Sequence, residues 1–375
     1  MVVYIILAIA FLLFLGTYQF ITIRRLLKFY GADVKKKGIL AVNICLTAIL
    51  VFLCLNLFRT RGVMLLHMTC FFFLTDVTAF LVRRFNRKKE HGRAYIRLKI
   101  LYQCGVVPVL LTVVVFVYGW LNMNQIRQTY YQVKTEKAVG NYRIALLTDI
   151  HYDSVQDTEV LKGKIDEIDQ QEPDIVILGG DIVEEGTSKE KMQEVFQMLG
   201  SLNNKYGVYY VYGNHDRQPY TRHRTFSDAE LEEAVLAGGI SILEDSYTEI
   251  GEDLILAGRG DAAWGATRQR ASSEEILRGA DHEKYIIMAD HQPIEAAENA
   301  AQGVDLELSG HTHAGQIWPM GLLTEWAGAL NYGMYQEGNC NVIVSSGVAG
   351  WAYTVRTGEH CEYVIVDVVA RENGF

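Results

Sequence analysis

Acidic side chains are nearly missing from the first 140 residues of this 375-residue chain. Only Asp33, Asp76, Glu90 and Glu136 stand against 19 Lys and Arg, a balance of +15. The remainder holds 16 basic and 40 acidic residues, a balance of −24, so the net charge of −9 averages two unlike parts. Proline (5) and cysteine (6) are scarce as well. This composition excludes collagen-like repeats, low-complexity disorder and a small disulfide-stapled scaffold. The acidic C-terminal part repels a phosphate backbone and argues against a nucleic-acid partner. What is plentiful is apolar. Half of the residues are hydrophobic and the mean hydropathy is +0.07, a value that points to a segment leaving water. At roughly 100–200 residues per domain the length suggests about two domains.

Four long apolar runs, 2–23, 39–58, 63–82 and 100–121, each approach the ~20 residues that cross a ~30 Å hydrocarbon layer. Lipid cannot satisfy an open strand, so these are expected to be transmembrane helices. The first run lacks a basic leading region and a small-residue cleavage site, and Arg24 and Arg25 follow it. It therefore reads as a retained anchor rather than a signal peptide. The loops 24–37 and 83–99 carry 14 cations, against Arg59 and Arg61 in the loop between them. The positive-inside rule puts the two basic loops in the cytoplasm and the C-terminal part outside, in a multi-pass integral membrane protein. Asp76, in the third run, is a functional candidate by default, but with Thr75 and Thr78 it reads as joining helices within the bundle. His67, near a membrane end, reads the same way.

Residues 122–140 are polar and are read as a linker, giving domains 1–121, 122–140 and 141–375. Short apolar runs closed by turn residues follow. Strands are expected at 143–147, 174–178 and 207–212, with helices at 160–170 and 189–199 between them. That alternation implies parallel strands with helices on the faces. Later strands, at 240–243, 254–258, 285–289, 306–308, 342–344 and 363–368, have fewer helices between them. The expected fold is α/β, a two-sheet αββα sandwich behind four transmembrane helices, and about 230 residues suffice for one substantial core.

Several of these strands end in an acid, an amide or a histidine: Asp149 and His151, Asp181, Asn214-His215-Asp216, His291, and His311-Thr312-His313. Loops at the carboxyl ends of parallel strands converge. Each group alone is weak, because an Asp after Gly-Gly is more often a turn or cap. Together they place five of the ten histidines at strand-terminal turns. The set is a mixed oxygen/nitrogen inventory suited to two divalent cations, manganese, iron or zinc, about 3.5–4 Å apart with a shared carboxylate. No cysteine lies near these positions, which excludes a thiolate zinc site.

The blocks Asp149-Ile150-His151, Gly179-Gly180-Asp181, Gly213-Asn214-His215-Asp216, His291 and Gly310-His311-Thr312-His313 occur in an order that resembles the calcineurin-like metallophosphoesterases. With the apolar runs in front, the chain is similar to the membrane-anchored bacterial branch of that family. The resemblance implies that Asp149, His151 and His313 hold one metal and that Asp181 bridges. Asn214, His291 and His311 then hold the second. His215 would be a catalytic residue that reaches the substrate phosphate or leaving oxygen, oriented by Asp216. The reaction implied is hydrolysis of a phosphomonoester or phosphodiester by attack of hydroxide held on the metals. Anchoring would hold the site close to the bilayer, so a lipid-linked or envelope phosphate is one reasonable substrate class, although a soluble substrate would also reach the domain.

Two departures from the family pattern, Arg259-Gly260-Asp261 and the stretch Trp351-Ala352-Tyr353-Thr354-Val355-Arg356, are expected to alter the substrate pocket without touching a ligand. Arg217 reads as a solvated arginine rather than a bidentate phosphate clamp. Cys340 and Cys361 lie where a disulfide is permitted, though their spacing is weak support for one. The alternative to an enzyme is a catalytically silent metal-binding membrane sensor or scaffold, which expects a damaged ligand set.

Overall fold

The computed structural model describes residues 2–57, 59–85, 93–262 and 270–371. The loop cations Arg87, Lys88 and Lys89 lie outside them. The chain divides into two compact units, Met1–Tyr118 and Gly119–Phe375.

The first unit contains α1 (Val2–Phe29), α2 (Lys37–Cys54), α3 (Thr60–Phe85), α4 (Arg93–Gln103) and most of α5 (Val106–Met123). Among the described residues four stretches, Ala8–Phe29, Lys37–Cys54, Thr60–Arg84 and Val106–Met123, are long and apolar enough to cross a membrane. The fourth apolar run is not one helix. It breaks between α4 and α5 at Gly105, whose φ of +75° a side chain rarely adopts. Asp76 pairs with the Arg25 guanidinium and accepts the Tyr18 hydroxyl at 2.7 Å, so it joins α1 to α3 as expected. Thr75 and Thr78 do not take part in that joint. Each donates to a carbonyl of its own helix at 2.8 Å, as does a hydroxyl with no other partner in an apolar setting. His67 likewise places Nδ1 2.9 Å from the Val63 carbonyl.

The second unit is built on two six-stranded sheets. One runs in the order β1 (Ile126–Thr135), β12 (Cys361–Ala370), β2 (Tyr142–Leu147), β3 (Ile175–Leu178), β4 (Val208–Tyr210), β5 (Ser241–Ile242). The other runs β10 (Gly333–Glu337), β11 (Cys340–Val344), β9 (Leu306–Ser309), β8 (Tyr285–Ala289), β7 (Leu254–Gly258), β6 (Ser246–Ile250). Strands β2 through β5 are mutually parallel, and so are β7, β8, β9 and β11. The pairings β12–β2, β6–β7 and β10–β11 are antiparallel.

The period-two alternation of a strand sorts the core into three layers. Ile144, Leu146, Ile175 and Ile177 of the first sheet meet Leu254, Leu256, Ile287 and Leu308 of the second between the sheets. Their neighbours Ala145, Leu147, Val176 and Leu178 point to the opposite face. There they meet the buried sides of α6 (Thr158–Lys162), α7 (Ile165–Asp169), α8 (Lys189–Gly200) and α9 (Asp228–Ala237). Ile255, Ile286, Val342 and Val344 similarly meet α10 (Ser273–Ile276) and α11 (Ala296–Ala301). One further helix, α12 (Met320–Trp326), buries none of its residues. The architecture is the expected αββα sandwich.

Two local expectations need correction, and the weakly supported disulfide is absent. Residues 122–140 are not merely a linker, because β1 pairs with β12 in parallel along its whole length, Ile126 opposite Cys361 through Thr135 opposite Ala370. As an edge strand it buries only Ile126 and Val133, so its sequence reads as polar. The helix expected at 160–170 is two short ones, the first capped by Asp157 and ended at Gly163. Cys340 and Cys361 are both free and sit on different sheets, β11 and β12.

Candidate metal centre

The residues singled out from the sequence stand on loops that leave β2, β3, β4, β8 and β9. Asp149, His151 and His313 bring ligand atoms within 4.8 Å of one another, and Asp181, His291 and His311 do the same. Asp181 belongs to both neighbourhoods. Its Oδ2 lies 3.3 Å from His291 Nε2 and 3.7 Å from His151 Nε2. His313 Nε2 is 3.5 Å from Asp149 Oδ1 and 3.3 Å from His151 Nε2.

Backbone geometry shows how tightly these positions are imposed. Asp149, His151, Asp181, His311 and His313 all have positive φ, between 41° and 70°. Side-chain-bearing residues rarely adopt that conformation, which costs on the order of 1–3 kcal/mol each and persists where the surroundings over-determine it. Glycines provide the close approach. A Cβ on Gly213 would sit 2.3 Å from Asp181 Oδ1, and one on Gly310 would sit 2.2 Å from Asp149 Oδ2.

Hydrogen bonds fix which atoms face inward. His291 Nδ1 lies 2.8 Å from the Gly179 carbonyl and His313 Nδ1 lies 3.2 Å from the Ala349 carbonyl. A carbonyl only accepts, so in each ring Nδ1 carries the proton and Nε2 presents a lone pair. The His311 N–H donates to Asp149, at 3.1 and 3.0 Å to its two oxygens, and the His215 N–H donates to Asp181 Oδ1 at 2.8 Å. Asn214 Oδ1 is buried with no hydrogen-bond partner. His151 Nδ1 and His291 Nε2 face carboxylates only, each at 3.3 Å, from Glu184 and Asp181 respectively, without a well-formed hydrogen bond. Buried polar groups are otherwise almost always satisfied. Convergent lone pairs, carboxylates and an orphaned acceptor form a donor set that fits divalent cations.

The electrostatics agree for His313, His311 and Asp149. At His291, by contrast, burial is outweighed by the Asp181 and Asp149 charges, which raise the ring above its ordinary value until a cation takes the place of its proton. Burial drives the His313 ring down to about 3, the nearby Asp149 charge only partly opposing it, so the imidazole is neutral at working pH. Burial lowers His311 as well, with His291 adding to the effect. Burial alone would raise Asp149, but His313, His291 and His151 hold its carboxyl below the usual range. For these three groups the protonation states are those that ligation requires.

His215 does not have the partner expected of it. Its Nδ1 lies 2.7 Å from Glu185 Oε2. Asp216 turns away and accepts the N–H groups of Asp181, Ile182, Val183 and Gly213 at 2.6–3.1 Å. A carboxylate adjacent in sequence is thereby spent on holding the Asp181 loop. Glu185 carried no sequence signal, being one acid among many in the stretch after β3.

A cleft of about 730 Å³ opens over the centre, lined by Asp181, Asn214, His215, His311 and His313, with Glu185, Tyr220, Gln316, Trp351 and Tyr353 around them. The His215 ring packs 5.2 Å from Trp351 and 5.0 Å from Tyr220. The variant stretch 351–356 thus reaches the cleft, as expected. It also touches a candidate ligand, which was not expected. Arg356, fully buried, donates to the carbonyls of His313, Ser346, Ala349 and His360 at 2.7–3.3 Å. Arg259 and Asp261 do not line the cleft. Arg259 is buried against Glu295 and Glu298, and Asp261 accepts from Gln292. Arg217 is not solvated either. It is buried, forms a fork with Glu244 at 2.8 and 3.0 Å and stacks 3.8 Å over Tyr212.

A family model described as calcineurin-like phosphoesterase matches residues 142–315. The chain is 32% identical over 247 residues to an uncharacterized metallophosphoesterase of Helicobacter pylori strain J99, covering 64% of this chain and 62% of that protein. It is 30% identical over 208 residues to an uncharacterized metallophosphoesterase of Aquifex aeolicus, covering 54% of this chain and 76% of that one. A Danio rerio protein described as a transmembrane protein with metallophosphoesterase domain is 28% identical over 287 residues, 71% of this chain and 62% of its own length. The matched part of the chain therefore spans about 62% of the Helicobacter and Danio relatives.

Proposed function

The chain belongs to the calcineurin-like phosphoesterase family, and on that footing we propose a membrane-anchored hydrolase of phosphate monoesters or diesters that works with two divalent cations. The observation that carries this reading is Asp181, whose Oδ2 stands between His151 of one ligand cluster and His291 of the other. Asp149, His151 and His313 would hold one cation, Asn214, His291 and His311 the second, with Asp181 shared. Manganese, iron and zinc all suit this mixed donor set. When bound, the cations supply Lewis acidity that activates water and offsets charge on the phosphoryl group.

The chain's own groups do the rest. His215 lines the cleft and holds a proton that can pass to the departing oxygen, a contribution of about 10²–10⁴-fold in comparable sites. Glu185 orients that ring through Nδ1. Trp351 and Tyr220 flank it and limit water around the leaving group.

Four helices of spanning length support anchoring in a bilayer. The excess of cations in the loops 24–37 and 83–99 supports a catalytic unit on the extracytoplasmic side. Lipid-linked or envelope phosphates are within reach of a site so anchored. The silent sensor or scaffold expects a damaged ligand set, and all seven ligand positions hold competent residues.

The test is hydrolysis of chromogenic phosphate monoesters and diesters by the purified full-length protein before and after complete metal removal. Turnover that depends on re-added manganese, iron or zinc supports the reading. Turnover that survives demetallation refutes it.

A further inference from the structure

Directly after the cleft residue Gln316 comes an apolar surface that the fold does not use. Trp318, Met320, Leu322, Leu323 and Trp326 are all exposed, Trp318 at 55% and Trp326 at 89%. Glu325 is the one charged residue of α12. An apolar patch of this kind marks an interaction surface rather than a water-facing one.

Hydrogen bonds within the second unit connect this segment to the end of α5. Gly119–Met123, the last turn of that helix, belongs to the second unit. The Gly119 carbonyl accepts the Arg356 N–H at 2.9 Å, and Asn122 Nδ2 donates to the carbonyls of Arg356 and Glu359, both at 3.2 Å. On the other side of the same loop, Thr357 Oγ1 accepts the Trp318 N–H at 3.0 Å. The N–H groups of Thr357 and Gly358 both donate to the Gln316 carbonyl, at 3.0 and 2.9 Å. One loop thus ties the final turn of a helix of membrane-spanning length to the start of the apolar segment. That turn carries Trp120, itself 56% exposed. Tryptophan is the residue that settles at the headgroup level of a bilayer.

We propose that residues 318–326 are an interfacial element that lies in the bilayer surface beside the cleft and delivers a membrane-resident phosphate ester to it. The phosphate of an amphiphile would enter past Gln316 toward His215, while its acyl chains stay in the leaflet alongside Trp318 and Trp326. Elements of this kind bury their apolar face roughly 5–10 Å into the headgroup and acyl boundary. The substrate half of the proposal rests on the phosphoesterase reading above; the bilayer half does not.

Two measurements on full-length protein in phosphatidylcholine vesicles test it. In the first, the lipid carries bromine on its acyl chains and tryptophan emission is compared between the wild type and Trp318→Phe and Trp326→Phe. The emission lost in each variant is expected to be the emission that brominated lipid quenches. Emission from these two residues that is insensitive to bromine overturns the interfacial element. That outcome includes the case where a second copy of the chain covers them.

In the second, methyl p-nitrophenyl phosphate in solution and hexadecyl p-nitrophenyl phosphate in the vesicles offer the same scissile bond. The double variant Leu322→Glu, Trp326→Glu is expected to lower the ratio of hexadecyl to methyl turnover about tenfold. An unchanged ratio overturns membrane delivery of the substrate. If the metal-loaded wild type cleaves neither diester, membrane delivery of a diester falls, the monoester assay above decides the phosphoesterase reading, and the quenching result alone decides the interfacial element.

Discussion

His215 Nδ1 and Glu185 Oε2 meet at 2.7 Å although thirty residues separate them in the chain. The neighbouring Asp216 instead binds four backbone N–H groups that shape the Asp181 loop. The two acids therefore have separable roles. Glu185→Gln should lower kcat about tenfold with KM and metal content nearly unchanged, and His215→Ala should lower kcat by about 10²–10⁴. Asp216→Ala should act mainly on stability and metal content, because it strands buried N–H donors. Steady-state kinetics, metal analysis and thermal melts on the three variants distinguish these outcomes.

Asp181 stands between the two ligand clusters, so its loss should affect both. Asp181→Asn is expected to lower the occupancy of both cations together, read by elemental analysis of the purified protein. Gly213→Ala should have a similar effect with every ligand intact, since its Cβ would fall 2.3 Å from Asp181 Oδ1. A Gly213→Ala protein that keeps full metal content would contradict that close approach.

Glu307 on β9 is fully buried, accepting from Asn299 Nδ2 at 2.8 Å and from Ser309 Oγ at 3.2 Å. Burial, reinforced by Asp290, pushes its carboxyl up to about 7, whereas its ordinary value is 4.5. The folded chain therefore binds more protons than the unfolded one between these two values. Its contribution to stability is complete below pH 4.5 and is lost as the pH rises through about 7. Glu307→Gln should flatten this part of the stability profile and raise the melting temperature at pH 8 relative to wild type. Denaturation curves across the range decide it.

Arg356 donates to four carbonyls, those of His313, Ser346, Ala349 and His360; His313 Nδ1 also reaches the Ala349 carbonyl and Ser346 Oγ that of His360. Arg356→Met should cost about 1–3 kcal/mol, since it strips the buried Ser346 carbonyl of its donor and leaves the other three with one partner fewer. Arg356→Lys should recover only part of that, because a compact ammonium does not reproduce the planar fork. Chemical denaturation of the two variants measures the difference.

The division of the chain into a basic apolar part and an acidic α/β part was legible in its composition, and so were the seven candidate ligands at strand ends. Both are properties of residue type and spacing. The period of the apolar pattern sets strand or helix, and chemistry-bearing residues concentrate in the turns that close parallel strands. The edge strand β1 escaped because only two of its ten residues are buried, which leaves the sequence of a linker. The break in the fourth apolar run escaped because one glycine among apolar residues does not by itself end a helix.

Other features belong to the tertiary structure alone. Glu185 rather than Asp216 partners His215, Arg217 forks onto Glu244, and Arg356 is buried beneath His313. Each of these pairings joins groups far apart in the chain, through side chains long enough to choose among several acceptors. Local sequence determines which residues have charge and reach. Which partner each one takes is settled only when the packed sheets and loops bring those groups into the same space and exclude water from it.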